Sequence, residues 1–132
     1  MSKKQITDAL SRGDSLADQD LRGLDLTGVN FDMADLRRSK LAESNLARAS
    51  FRGADLSGAS LWHSDCKDAC FDEAVLEETD FDFANLDGCT FRNAKVRKAI
   101  FPNPRQTLAE VEHSVRTGRR IRFDSRSIDD DV

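Results

Sequence analysis

The sequence is poor in the residues that most enzyme chemistry requires. It has two histidines, His63 and His113, and three cysteines, Cys66, Cys70 and Cys89. No nucleophile motif or phosphate-cradling glycine-rich loop accompanies them, so neither catalysis nor a cofactor is expected. An odd, sparse cysteine set fits a reducing compartment better than a disulfide framework, so a cytoplasmic chain is expected. No apolar run approaches the roughly 20 residues needed to span a bilayer. The start, Met1 to Asp8, holds no continuous apolar stretch and does not read as a signal peptide. Positive charge is not in excess either. The formal net charge of −4 argues against dominant binding to free nucleic acid or to an anionic membrane.

What the chain does have is a period. From Leu21, every fifth residue to Phe101 is apolar, and most are Leu or Phe. Neither a 3.6-residue helix nor an alternating strand produces an unbroken period of five. From Ala34 onward, a small residue stands two positions before each of these, as in Ala49, Ala54, Ala59 and Ser64. Between them sits Asp or Asn in many units, as at Asp25, Asn30, Asp35 and Asn45. The remaining positions are polar or Gly. If each unit forms one side of a coil, the large and small residues point inward and the other three face water. A larger residue in the small column would overfill the interior, at about 1–3 kcal/mol. Gly and Asx suit the corners.

Phenylalanine gives the number of sides. Phe31, Phe51, Phe71 and Phe91 lie twenty residues apart with mostly Leu between, which predicts four units per turn and a ladder of rings inside. Residues 19–103 hold 17 units, hence about four coils and a rod roughly 20 Å tall.

Units such as Ala34-Asp35-Leu36-Arg37-Arg38 and Ala84-Asn85-Leu86-Asp87-Gly88 resemble the A(D/N)LXX signature of the pentapeptide-repeat family. That resemblance implies an all-β solenoid, a right-handed quadrilateral β-helix. Gln19, Leu24 and Val29 depart from the small column, so an irregular or widened first coil is expected.

Both ends read as helical caps. Residues 1–18 open with Ser2-Lys3-Lys4-Gln5, which resembles a capping box, and carry Gly13 as a stop. Residues 104–132 follow Asn103, an expected N-cap, with Pro104 at N1 and Gln106 at N3. Leu108, Val111 and Val115 recur at helical spacing, Gly118 closes the helix, and Ile121 and Phe123 follow in a basic stretch. These apolar residues either cap the last coil or form a dimer. The resemblance adds weight to a homodimer, since quinolone-resistance members of the family pair through a C-terminal helix.

Function is expected on the outward faces. His63, Cys66 and Cys70 superficially suggest a metal string, but the coil sends them in diverging directions, so no metal site is expected. Trp62, His63 and Phe83, with Ile100 one coil further, form an exposed apolar cluster of the kind that marks a contact site. They are candidate partner-binding residues, unless a terminal segment folds over them. Charge is zoned as well: between residues 65 and 87 nine carboxylates face one lysine, a net −8. Asp72, Glu73, Glu77, Glu78, Asp80 and Asp82 join the candidate set. The leading expectation is a non-enzymatic protein-interaction module or scaffold whose partner is another protein. The alternative, which the resemblance supplies, is a DNA mimic that binds a type II topoisomerase such as DNA gyrase and protects it from quinolone or toxin. Flanking basic bands weaken that alternative. Nucleic-acid binding through the basic segment 116–126 is a lesser expectation.

Overall fold

The computed structural model describes residues 1–122; residues 123–132, Phe123 among them, and the side chains of Pro104, Arg105 and Gln106 lie outside the described part. The five-residue period is a period of turns. Two residues after each inward Leu or Phe the backbone takes a positive φ, at every fifth residue from Asp18 (64°) to Asn103 (44°). One residue later an N–H bonds back to the carbonyl of the inward residue, as Ala34 does to Phe31 (3.0 Å) and Ala59 to Leu56 (2.9 Å). This is the turn that requires φ > 0 at its third position.

The other four N–H groups of a unit also find partners. Phe51 donates to the carbonyl of Cys70 on the next coil (2.7 Å) and Gly53 to that of Asp72 (3.0 Å). Asp55 donates down to Ala34 (3.0 Å). The residue after the inward one donates to the Asx side chain two positions back, as Ser57 does to Asp55 Oδ1 and Lys67 to Asp65 Oδ1 (both 3.0 Å). Where Asx is missing, as before Phe51 and Phe91, a carboxylate one coil earlier substitutes: Arg52 N–H donates to Asp32 (3.1 Å) and Arg92 N–H to Asp72 (3.0 Å). Buried main-chain donors without partners are costly, and this arrangement leaves such a unit none.

Thirteen isolated parallel bridges join residues twenty apart, from Asp20 with Lys40 to Asp80 with Ile100. No continuous strand forms among the described residues. Each side offers one residue for cross-coil pairing before the next turn removes the chain, so the expected β-structure takes the form of single bridges.

Inside, Phe31, Phe51, Phe71 and Phe91 stack with ring centroids 4.9, 4.9 and 5.2 Å apart and planes within 10°. A second column places Phe81 against Phe101 at 5.4 Å. Such spacing follows the coil rise, close to the separation of paired strands. The small column is buried from Ser39 to Ala94, and polar members bond inward, Ser44 to the carbonyl of Leu21 (2.7 Å) and Thr79 to that of Leu56 (2.8 Å). Ser39 alone among the described residues keeps a buried side-chain oxygen without a partner.

The first coil is not widened. Its backbone bonds run in the common register from Leu16, whose N–H meets Asp35 (2.9 Å), and Leu16 itself is buried. The oversized residues are accommodated at the rod's end, where Gln19 is exposed and Leu24 half-buried. Regular coiling thus begins one unit before residue 19.

Helix α1, Lys3–Arg12, has the expected capping box: Gln5 N–H donates to Ser2 Oγ (3.2 Å) and Ser2 N–H to Gln5 Oε1 (2.8 Å). Gly13 ends it at φ 75°, and Ile6 and Ala9 join the apolar core of the coils. Helix α2, Pro104–Thr117, differs from expectation at its start. Asn103 is its N-cap residue but makes no side-chain cap bond, because its backbone (φ 44°) is already committed to the left-handed corner of the last unit. Thr107 binds there instead, its N–H to Asn103 O (3.1 Å) and its hydroxyl to Pro102 O.

Replacing Phe51, buried and stacked on both sides, with Ala should lower the unfolding free energy by about 3–5 kcal/mol in urea titrations. Arg48 occupies a corner at φ 58° with an exposed side chain, so Arg48→Gly relieves left-handed strain and should raise Tm by about 2–4 °C. Gly53→Ala should lower Tm, since at φ 67° any Cβ strains the left-handed corner, while the exposed Met33 side chain beside it can move aside.

Candidate functional site

With inward positions taken by the core, chemistry is confined to corners and flats. The register of twenty superposes Trp62 with Asp82, and His63 with Phe83, on one corner. His63 N–H donates to Asp82 O (2.9 Å), which fixes the stagger between the two coils. The His63 and Phe83 rings stack at 6.1 Å and 28° as expected, and Trp62 adds a tilted contact with His63 (5.0 Å, 46°) and an edge contact with Phe83 (6.2 Å, 74°). The rings stay accessible: Trp62 is 38% and Phe83 65% exposed. No described residue folds over them.

The carboxylates of the candidate set do not converge. Asp80 and Ile100 pair on the flat that leads to the aromatic corner, and Asp82 stands on that corner. Glu77 and Glu78 occupy the preceding corner, sharing a small cleft of about 180 Å³ with Arg97 and Lys98. Asp72 and Glu73 lie half a coil away, on the diagonal corner, where Arg52 pairs with Glu73 (3.3 Å) and Arg92 N–H meets Asp72 (3.0 Å). The acidic belt of the sequence is therefore wrapped around the rod and interleaved with cations.

The C-terminal residues divide too. Val111 and Ile121 are fully buried in their own chain, Val115 is half-buried against the core and Leu108 is 43% exposed. The segment is tied to the last coil through its backbone: Gly88 N–H to Ile121 O (2.7 Å), Ile121 N–H to Cys89 O (2.8 Å) and Asn93 N–H to Val115 O (3.0 Å). Arg92 and Arg120 donate to Thr117 O and Gly88 O (both 2.9 Å).

One exposed apolar residue escaped the sequence reading. Met33, 78% exposed, borders a groove of about 720 Å³ between α1 and the first coils, with Leu10, Val29, Asp14 and Asp32. Its signal was available, because it holds the same outward corner position within its unit that Phe83 holds ten units further on. Among the described residues no His, Cys, Asp or Glu cluster is placed to hold a metal. Likewise, no described helix is long and apolar enough to cross a membrane. Cys66 and Cys89 are buried and unpaired. Burial pushes the Cys66 thiol up to about 12, and it shifts Cys89 in the same direction.

A family model for pentapeptide repeats matches in eight copies, over residues 15–42, 34–65 and 64–103. No curated protein matches the sequence. Among solved structures, the chain is similar to a pentapeptide repeat protein from Nostoc PCC 7120, with 30% identity and a TM-score of 0.69 over 76% of this chain and 83% of that one. It is similar also to a pentapeptide repeat protein of the Arabidopsis thaliana thylakoid lumen, with 37% identity and a TM-score of 0.61 over 63% of this chain and 58% of that one. A third likeness, to the pentapeptide repeat protein Rfr23 of the cyanobacterium Cyanothece 51142, has 23% identity and a TM-score of 0.62 over 64% and 57%; it speaks to fold alone. The chain thus spans less than two thirds of the Arabidopsis protein's length.

The raised thiols carry a pH dependence. Above about pH 9 the unfolded chain loses thiol protons that the folded chain keeps, so stability should fall as pH rises from 9 toward 12. Urea midpoints between pH 8 and 10 should show this fall, and Cys66→Ala/Cys89→Ala should flatten it. Thiol reagents applied to the native protein should modify Cys70 ahead of Cys66 and Cys89.

Proposed function

Because the chain belongs to the pentapeptide-repeat family, whose members form right-handed quadrilateral β-helices, we propose that it is a non-enzymatic docking rod that binds another protein through the corner of Trp62, His63 and Phe83. In this reading about four coils make the rod, α1 and α2 close its ends, and the unpaired cysteines suit a cytoplasmic setting. The observation that carries it is exposure: three rings in mutual contact stand on a corner the core does not use. Aromatic side chains concentrated in this way are the usual anchors of protein interfaces. A rigid scaffold holds them with little ordering on binding.

A narrower choice of partner is a type II topoisomerase met through mimicry of DNA. Duplex DNA presents about one charge per 1.7 Å, whereas Glu73 here pairs with Arg52, and Glu77 and Glu78 share a cleft with Arg97 and Lys98. Pairing of this kind favours the aromatic contact over a continuous phosphate-like strip. A homodimer through α2 would use Leu108, since Val111 and Ile121 face their own core.

Affinity capture from the source cell with the full chain should recover a partner that Trp62→Ala/Phe83→Ala recovers at least tenfold less, with Tm within about 2 °C of the parent because both side chains are exposed. Equal recovery by the variant would remove this corner as the docking face. A topoisomerase among the proteins lost would select the narrower choice.

A further inference from the structure

We propose, as a deepening of the docking reading above and resting on it, that the aromatic corner receives an arginine side chain from an extended basic segment of the partner. Three observations converge on that occupant. The first is the shape of the ring cluster. Centroid separations of 5.0, 6.1 and 6.2 Å make a near-equilateral triangle, with Trp62 inclined to both other rings. An arginine laid against the exposed face of Phe83 or Trp62 comes within about 6 Å of a ring centroid, the range in which a π-face attracts a cation.

Charge supplies the second. The stacked stretches 60–65 and 80–85 contain Asp65, Asp80 and Asp82 and no Lys or Arg. The third is the state of those carboxylates. Elsewhere on the rod, Asp18, Asp20, Asp35 and Glu73 are each met by an arginine of the same chain, at 2.8, 2.7, 2.8 and 3.3 Å. Asp80 and Asp82 are met by no Lys or Arg among the described residues. One oxygen of each accepts a backbone N–H, from Asp82 (2.9 Å) and Phe83 (3.1 Å). That leaves the second oxygen of each for an incoming donor. Asp80 and Asp82 thus belong to the carboxylates that the rod leaves without an arginine of its own, and they are the ones that flank the exposed rings. Arginine fits better than lysine because a planar guanidinium stacks on a ring while its edge bonds a carboxylate.

Trp62 is the sole tryptophan of the chain, so its emission reports on this corner alone. Titration of the full chain with a capped hexapeptide of alternating Arg and Gly should give a saturable change in that emission. The peptide with citrulline for arginine, equal in shape but uncharged, should bind roughly tenfold more weakly. Asp80→Asn/Asp82→Asn keeps the side-chain acceptors that hold the turn, so its Tm should be unchanged while arginine-peptide affinity falls several-fold; Phe83→Ala should do the same. Asp72→Asn, on the diagonal corner, should leave affinity unaltered. Equal binding of the two peptides, no saturable change up to millimolar arginine peptide, or an equal loss in Asp72→Asn would each overturn the proposal. If peptide binding fails while partner capture still depends on Trp62 and Phe83, the cationic occupant alone falls. If both fail, the docking reading falls with it.

Discussion

The structure depends on satisfying five backbone N–H groups in five residues. Two donors climb to the next coil, one descends, one closes the turn and one is taken by an Asx side chain, as seen in the unit around Leu56. Any other unit length would rotate a donor away from its acceptor twenty residues on. The side-chain columns follow from this backbone, and so does the Phe ladder. Interior packing stabilises the rod, but the hydrogen-bond pattern decides which residues face inward.

That logic explains what could be read in the sequence. Leu or Phe at every fifth position and Phe at every twentieth are direct images of the register, and the stacking of Phe51 on Phe31 and Phe71 agrees with them. The small column was legible for the same reason. The Asx residues were visible as turn formers, while their specific duty, capturing the N–H two residues ahead, needs coordinates. Failures came where two local demands compete. Asn103 holds the N-cap position as read, yet its side chain makes no cap bond, since the last coil claims its backbone as a corner. Gln19 and Leu24 depart from the small column, yet the first is exposed and the second half-buried, so neither has to fit wholly inside the coil.

The candidate site was half legible. Residues twenty apart were placed together correctly, so His63 with Phe83 could be read directly. Carboxylates that are near in sequence were grouped into one belt, although ten residues means the opposite side of the rod. Glu73 pairs with Arg52 from the coil below, and a linear tally of charge conceals that. What distinguishes Asp80 and Asp82 is that they combine the lack of such a cation with a place beside the exposed rings.

The coil length has a consequence for how this chain can change. Adding or deleting twenty residues restores every column above the edit, so a longer or shorter rod keeps its faces aligned. A five-residue edit anywhere between Trp62 and Phe83 would preserve local hydrogen bonding but turn the upper part by a quarter revolution. Phe83 would then leave His63 for a different corner while both stretches remained well folded. Recognition here is vulnerable to phase errors that stability would scarcely register.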